Sequence, residues 1–500
     1  MTGPGVPPPG SDRRDEPRRA AAARARYAGL VGAVLLAVAG YLGGALPTLP
    51  SGVTPVAIWR GPYGPLILGG WLVGTALLVG AWWALRRGAP STGWAYRTAG
   101  LWALPLLLTA PLGSRDVYSY ACQGWAYAHG VDPYVSGVAE AGCPWLGSVA
   151  PIWRDTPAPY GPVFVLLAAL AVLVGGGLTG TIVLLRLFAL AGVLLAAFCL
   201  PGLARAAGVP ARRAVWLLLA CPLVGVHLLA GAHNDAVMLG LLLPGLLVLV
   251  RRPGRPAALL LAGVLLGLAV AVKATAVVAL PYAALAAVPG RRTVRALLRD
   301  GGWLAAGVLA AMAGSSLLSG LGLGWVDGLS RSGDSEQWTS LPTAVGFVAD
   351  YVGALAGREP DAVPVARAVG LLLLAGVLVV LWWRAWTALR RRGDVGQRAA
   401  PSAVVRPRVA LYAAGLALAA TVVLAPVFHP WYATWPLALL AVSATRTIWF
   451  VLPSAVAAFL TLPDGTNLAR FTKAPGAIAM TVLTLVALSL AHRRRPNSSP

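Results

Sequence analysis

A polar and aromatic stretch, SRDVYSYACQGWAYAHGVDPY, occupies residues 114–134 directly after an apolar run. Its first carboxylate, Asp116, stands at the end of a predicted membrane span, where a charge is costly unless it is paired, hydrogen-bonded or wetted. Arg115 or Tyr118 can satisfy this charge, or Asp116 can simply face water. A carboxylate among aromatic and amide side chains also suits a sugar, because rings stack on its C–H faces while polar groups contact its hydroxyls.

Residues 117–129 predict a short helix along the membrane surface, with Tyr120, Gln123 and Tyr127 on one face. The helix is expected to end at a glycine, after which Asp132 and a proline turn the chain. We expect this face to border a cavity. Aromatic residues at this depth are also typical of a simple interfacial belt.

A second polar group, His233-Asn234-Asp235, separates two apolar runs. Asn234 or Asp235 can cap the helix that follows, which does not exclude a contact with substrate. His233 and Asp235 are metal-ligand types, but two groups are too few to predict a metal site, and no zinc-type spacing is present. The motif FHPWYATWP, residues 428–436, gives either an aromatic belt or the rim of a lipid or sugar groove.

Three cations can neutralise a phosphate in such a site. Lys273 and Arg186 lie inside apolar runs, where a charged side chain must reach the surface or find a partner anion such as a lipid phosphate. Arg331 lies in the polar stretch SRSGDSEQW. Residue type alone does not decide among the three.

The elements that position these residues are predicted to be membrane helices, since 58% of the 500 residues are hydrophobic and only 11% are charged. Apolar runs recur from residue 27 to residue 491 and predict an all-α polytopic membrane protein with about 13–15 transmembrane helices. We interpret residues 27–491 as a single transmembrane domain without a cleaved signal peptide. Residues 1–26 are predicted to be a disordered cytoplasmic tail, and residues 492–500 a second cytoplasmic tail.

The net charge of +23 is carried by short basic clusters between the apolar runs. This is the positive-inside pattern of a plasma-membrane protein, and it argues against nucleic-acid binding. With these clusters and both termini in the cytoplasm, 12 of the 17 carboxylates fall on the outer side. The longest outer loops are 114–160 and 321–364, where we expect the site. Residues 161–178 are then a re-entrant or surface helix rather than a span.

Two further observations concern the chemistry of the outer side. Cys122 and Cys143 share the first outer loop, where they can form a disulfide. No phosphate-loop, dinucleotide, zinc-protease or serine-elbow motif is present. An enzyme on the outer face has no supply of nucleotide sugar, so its activated donor would arrive through the membrane as a lipid phosphate.

Five motifs in matching order, RDVYSYACQG, GVDPY, APYGPV, HNDAVMLG and HPWYATWP, resemble the polyprenol-phosphate-mannose-dependent α-1,6-mannosyltransferases, the MptB-like members of the GT-C glycosyltransferases. The resemblance covers roughly residues 100–440. It implies a GT-C-type helical bundle with short periplasmic helices in the first large outer loop, and a catalytic aspartate there, at Asp116. It also implies a polyprenyl-phosphate sugar donor, usually mannose, a glycolipid acceptor that carries an α-1,6-mannan, and transfer with inversion.

On this basis we predict that Asp116 is the general base and that the reaction uses neither a metal nor a cofactor. The predicted phosphate-binding residues are Lys273, Arg186 and Arg331. The predicted substrate-binding residues are Arg115, Tyr118, Tyr120, Gln123, Asp132, Tyr134, Tyr160, His233, Asn234, Asp235, His429, Trp431 and Tyr432.

Two alternatives stay open from the sequence. A sister transferase would use polyprenyl-phosphate arabinose or glucose, since all these sugars present hydroxyls to the same kinds of side chain. A lipid or sugar transporter or flippase would belong to a different class. Transporters place ionisable groups near the membrane midplane, often in two related halves. The predicted outer position of the carboxylates therefore favours the enzyme.

Overall fold

The computed structural model describes residues 12–50, 52–290, 292–331, 335–394 and 404–493. Helices are the only regular secondary structure in this part of the chain, and they hold 75% of the residues. Its α-helices are α1 (Asp12–Gly43), α2 (Pro55–Arg60), α3 (Gly64–Ala84), α4 (Thr92–Leu108), α5 (Asp116–Ala128), α6 (Pro162–Gly175), α7 (Leu178–Ala206), α8 (Ala211–Leu219), α9 (Asp235–Arg251), α10 (Pro256–Val272), α11 (Leu280–Ala287), α12 (Val294–Ser319), α13 (Trp325–Arg331), α14 (Leu341–Leu355), α15 (Ala362–Asp394), α16 (Val405–Leu424), α17 (Thr434–Ser443), α18 (Ile448–Ala457) and α19 (Lys473–Arg493).

The prediction of an all-helical multi-span membrane protein is confirmed. Among the described residues, seven helices are long and apolar enough to cross a bilayer, or eight if α8 and the helical turns Val224–Ala230, bent by 61°, form one broken span. This is fewer than the 13–15 spans predicted. The other stretches predicted to cross fall on helices of 17 residues or fewer. The seven are α1, α3, α7, α12, α15, α16 and α19.

The structure describes most of the first predicted tail and little of the second. α1 begins at Asp12, so most of the segment predicted to be a disordered tail is helical, and that part of the prediction is wrong. Its alanine and arginine residues are good helix formers and continue the apolar helix that follows. Residues 1–11 and 494–500 lie outside the described part of the chain. Outer loop 321–364, read as a loop from sequence, contains α13 and α14.

The basic clusters meet at one end of the bundle. Arg213 donates hydrogen bonds to the carbonyl oxygens of Ala444 and Thr445, the latter at 3.3 Å. Arg408, at the start of α16, donates to Ser443 at the end of α17 over 3.3 Å. The opposite ends of the same helices meet loop 114–160, so we call that end of the bundle the loop end.

α6 begins and ends at the loop end. The backbone of Gly161 lies against Ala271, close to the end of α10, and the backbone of Gly175 lies against Thr181 in the first turn of α7. Further along α7, Arg186 still reaches loop-end backbone. This is the placement expected of a re-entrant or surface helix.

Close backbone contact fixes α5 against α6. A Cβ on Gly124 would lie 2.4 Å from the carbonyl carbon of Ala168, closer than any side chain tolerates. A disulfide between Cys122 and Cys143 joins the same turn of α5 to the loop that follows, with the two Cα atoms 5.5 Å apart. Because both restraints act on one short helix, they fix the position of its first residue, Asp116.

We expect Gly124→Ala to lower the melting temperature in detergent, because the added methyl group must push α5 and α6 apart at a cost of about 1–3 kcal/mol. Gly100→Ala in α4 is the matched control, since a Cβ there meets nothing within 4 Å. Replacing a helix glycine by alanine is by itself favourable by about 0.5–1 kcal/mol. Equal melting temperatures for the two variants would contradict the packing argument.

Candidate active site

The first residue of α5 is held in place from both sides. Ser114 accepts a hydrogen bond at 3.1 Å through its side-chain oxygen from the backbone N–H of Asp116. The buried guanidinium of Arg115 donates to the carbonyl oxygens of Leu46 at 3.1 Å, Leu49 at 2.6 Å and Ser148 at 3.2 Å. Arg115 therefore ties three chain segments together around Asp116, whose own side chain remains 16% exposed.

Asp116 lines a first cavity of about 180 Å³, which we call the aromatic cavity. It lies between α5, the end of α10, α16 and the start of α17. Six of its lining residues carry aromatic rings, and the wall also contains one amine and several hydroxyl or amide groups. Its lining includes Ser119, Gln123, Trp153, Thr156, Tyr160, Lys273, Thr275, Thr421, His429, Trp431, Tyr432 and Trp435.

Asp116 also lines a second cavity of about 610 Å³, which we call the polar cavity. The two cavities share Asp116, Trp153, His429 and Trp431. A ligand group that contacts Asp116 can therefore be reached from either cavity. The polar cavity is lined further by Ser114, Arg115, Ser335, Glu336, Gln337, Asp464, Thr466, Asn467, Arg470 and Lys473.

A buried ion pair forms the base of the aromatic cavity. Lys273 Nζ lies 2.9 Å and 2.8 Å from the two carboxylate oxygens of Asp235, and 3.4 Å from Asn234 Oδ1. The indole N–H of Trp435 donates to the same carboxylate at 2.5 Å. The ammonium also lies 5.0 Å from the ring centroid of Tyr432, a distance typical of a cation–π contact. α10 ends at Val272, and the extended backbone of Lys273 delivers its side chain to this point.

His233 is the nearest ionisable neighbour of Asp116. Its Nδ1 lies 3.7 Å from Asp116 Oδ2 and 3.3 Å from the hydroxyl of Tyr120, while its ring packs at 4.1 Å from Trp431. Burial lowers the pKa of His233 well below its ordinary value, so it is a neutral neighbour of Asp116 and not a counter-ion. The preceding Ala232 has a φ of +52°, a left-handed conformation that costs free energy for a residue with a Cβ.

The surroundings of Asp116 raise the pKa of its carboxyl towards neutral pH. Burial raises its pKa to about 6, although the positive charge of Lys273 acts in the opposite direction. Burial also lowers the pKa of His429 to about 3, so both cavity-side histidines are neutral. A carboxylate with a pKa near the operating pH is well matched to general-base catalysis.

Several polar atoms around Asp116 are buried without a partner from the protein. Among the described residues, no hydrogen bond reaches Gln123 Oε1, Asn234 Nδ2 or His233 Nε2. Buried polar groups are normally satisfied. Gln123 lines the aromatic cavity, so its free oxygen can accept a hydrogen bond from a hydroxyl of a bound ligand.

The structure places some of the predicted site residues elsewhere. Tyr118 donates to the carbonyl of Ala45, and Tyr134 donates to the carbonyl of Tyr160 at 2.8 Å, so both support the fold behind the cavity. Asp132 accepts from the backbone N–H of Tyr134 at 2.8 Å and lies in an exposed turn.

Two of the predicted phosphate-binding cations also lie off the cavities. The guanidinium of Arg186 donates to the carbonyl oxygens of Leu107, Thr109 and Ala230 at 2.7–2.8 Å. Arg331 is exposed at the end of α13. Neither borders the aromatic or the polar cavity, whereas Lys273 borders the first.

Comparison with known proteins identifies the family. Residues 26–289 match the model of the α-(1→6)-mannopyranosyltransferase N-terminal domain, and residues 342–490 match the MptB C-terminal domain. This chain belongs to the α-(1→6)-mannopyranosyltransferase family. It is therefore a multi-pass membrane glycosyltransferase, as the sequence motifs predicted.

Relatives in three species cover most of the chain. The α-(1→6)-mannopyranosyltransferase A of Mycobacterium tuberculosis is 34% identical over 74% of this chain and 69% of its own length. A probable α-(1→6)-mannopyranosyltransferase of Mycolicibacterium smegmatis is 32% identical over 95% and 89%, and α-(1→6)-mannopyranosyltransferase B of Corynebacterium glutamicum is 30% identical over 83% and 73%. No solved structure matches the chain.

Sequence reasoning missed part of this mannosyltransferase's site. Trp435 lies within the motif FHPWYATWP, whose pattern alone predicts no role for it, yet it donates a hydrogen bond to Asp235. The stretch LPDGTNLAR, residues 462–470, lines much of the polar cavity. The available signal was its polarity and turn composition in an otherwise apolar region.

We expect Asp235→Asn to destabilise the protein by about 3–5 kcal/mol, because it leaves Lys273 buried without a counter-charge. The double variant Asp235→Asn with Lys273→Met removes the unpaired charge and should recover much of the lost melting temperature in detergent. A double variant that is less stable than Asp235→Asn alone would show that the ion pair does not carry this effect.

Proposed function

We propose that this protein transfers mannose from polyprenyl-phosphate-mannose to a hydroxyl of a growing α-1,6-mannan glycolipid. The reaction takes place on the outer face of the plasma membrane, with both termini in the cytoplasm. The observation that carries the proposal is the Asp116 carboxylate, which borders two cavities at once and has a raised pKa. A transferase needs such an arrangement because the acceptor hydroxyl must meet both the base and the anomeric carbon of the donor.

The proposed step is an inverting displacement. The acceptor hydroxyl gives its proton to Asp116 as its oxygen attacks the anomeric carbon of the donor mannose. The bond between that carbon and the phosphate oxygen breaks, and its electron pair leaves with polyprenyl phosphate. Inverting glycoside hydrolases use a general acid besides the base. A phosphate leaves without being protonated, so one general base is sufficient for the proposed step. General-base assistance contributes about 10²–10⁴-fold to the rate.

The remaining side chains suit the binding of sugar and phosphate. Tyr160, Trp431 and Tyr432 offer ring faces to sugar C–H groups in the aromatic cavity. Gln123 can accept a hydrogen bond from a hydroxyl. The leaving phosphate must lie on the far side of the sugar from the base, where a cation can stabilise its charge. The charge of Lys273 is already balanced by Asp235. The cations of the polar cavity are therefore equally suited to stabilise the leaving phosphate.

We expect Asp116→Asn to lower kcat by about 10²–10⁴-fold, because an amide cannot accept the acceptor's proton. The assay uses purified protein in detergent with polyprenyl-phosphate mannose, arabinose and glucose offered separately, and with a mannan glycolipid as acceptor. Glu140→Gln, an exposed change in the same loop, is the control and should retain full activity. Preference for arabinose or glucose would overturn the donor assignment, and an Asp116→Asn variant with the kcat of the wild type would overturn the base.

We expect kcat/KM to rise tenfold per pH unit below about 6 and to level off above it, because Asp116 must be ionised to act as a base and burial raises its pKa to about 6. The residual activity of Asp116→Asn should not show this rise of kcat/KM with pH. Activity that falls as the pH rises through 6 would contradict the assignment, since it would require a protonated group instead.

A further inference from the structure

A third cavity, which we call the apolar groove, lies on the other side of α16 from the aromatic cavity. Its volume is about 780 Å³, and its walls come from α16, α17, α18 and α19. Large apolar side chains at its edge are exposed, with Trp449 76% and Val423 50% accessible, as expected of a groove that opens towards lipid. Its lining includes Trp338, Tyr412, Leu416, Ala419, Val423, Phe428, Leu440, Arg446, Trp449, Phe450, Val456, Leu460 and Met480.

The groove and the polar cavity share walls at three places. Each place consists of two consecutive residues that line different cavities. One residue lines the groove, and its neighbour in the sequence lines the polar cavity. The head of the groove therefore abuts the cavity that contains Asp116. The pairs, with the groove residue first, are Trp338 and Gln337, Phe428 and His429, and Leu460 and Thr461.

The length of the groove fits a chain and not a compact ligand. Along α16 it is lined from Val423 back to Tyr412, which at 1.5 Å per residue is about 16 Å. At its far end it is lined by Ala444 and Arg446, near the basic end of the bundle. It thus runs from the polar cavity into the depth of the membrane.

The chemistry of the two substrates decides which of them needs such a groove. In a lipid-phosphate sugar, the hydrocarbon chain is esterified to the phosphate itself, so it must leave the site next to the leaving group. In a mannan glycolipid, the sugars already added separate the lipid anchor from the reacting hydroxyl. The polar cavity at the head of the groove is lined by Arg470 and Lys473, whose positive charges complement a phosphate. Its wall also holds Asp116, Glu336 and Asp464, so the phosphate is expected beside the two cations and away from these carboxylates.

We propose that the apolar groove holds the isoprenoid chain of the donor, with its phosphate in the polar cavity near Arg470 and Lys473. This inference rests on the proposed function. It leaves the aromatic cavity, on the other side of Asp116, for the sugars of the acceptor.

Filling the groove tests the proposal. Ala419→Phe places a ring in the groove, and Ala420→Phe is the matched control, because Ala420 is the next residue of α16, is equally half-buried and does not line the groove. We expect Ala419→Phe to raise KM at least tenfold for a C50 polyprenyl-phosphate mannose and less than twofold for a ten-carbon analogue. Ala420→Phe should change neither value. Comparable melting temperatures of the two variants confirm that both fold.

A raised KM for the acceptor glycolipid alone would place the acceptor chain in the groove and overturn the proposal, as would an unchanged KM for the long donor. Binding without turnover separates this result from a failure of the proposed function. A C50 polyprenyl phosphate that carries a photoreactive group on its chain, but no sugar, should crosslink to α16 or α18 in the wild type and in the Ala420→Phe variant, but not in Ala419→Phe. If crosslinking behaves in this way while no mannose is transferred, the groove assignment stands and the proposed reaction fails.

Discussion

The buried ion pair between Lys273 and Asp235 is the interaction on which the candidate site most depends. Burying two charges costs several kcal/mol per ion, and the cost is offset only when the geometry is good and the remaining donors and acceptors are satisfied. Here both carboxylate oxygens contact the ammonium, and Trp435 supplies a further N–H. The pair joins the start of α9, the end of α10 and α17. Asp235 is committed to this pair, whereas Asp116 lines both cavities.

Buried arginines show a second constraint of the same kind. The carbonyl groups at the end of a helix lack intrahelical donors, and in a membrane protein water cannot always satisfy them. Arg186 serves carbonyls near the end of α4 and before α9, while Arg115 serves the chain after α1 and the loop after α5. A guanidinium with five donors can hold several such segments together. The position of Arg186 inside an apolar run suggested phosphate binding. Its guanidinium instead stabilises the loop end by binding these carbonyl groups.

The sequence predicted the parts of the molecule that depend on local pattern. Hydropathy located the helices, and the polar interruptions at Asp116, His233 and His429 located three walls of one site. The pairing of Lys273 with Asp235 could not be predicted, because it depends on how α9 and α10 pack, and a lysine in an apolar run fits several partners equally well. The polar cavity was missed for a related reason: residues 462–470 are distant in sequence and join Asp116 only through the packing of α18 and α19. In the described part of the chain, fewer helices than the predicted 13–15 reach 18 apolar residues, because the other predicted spans fall on helices of 17 residues or fewer, and hydropathy alone does not set where a helix ends.

The desolvation that raises the pKa of Asp116 has a further consequence for the proposed reaction. A phosphate bound in the polar cavity would bring negative charge into the same poorly hydrated region, and a like charge makes a carboxylate harder to ionise. Donor binding would therefore increase the basicity of Asp116 when the acceptor hydroxyl must be deprotonated. Lys273 limits this effect, because its positive charge favours the ionised carboxylate. In the proposed reaction the donor would thus strengthen the base. The ion pair acts on Asp116 through both of its charges, since Lys273 favours the ionised carboxylate and Asp235 disfavours it.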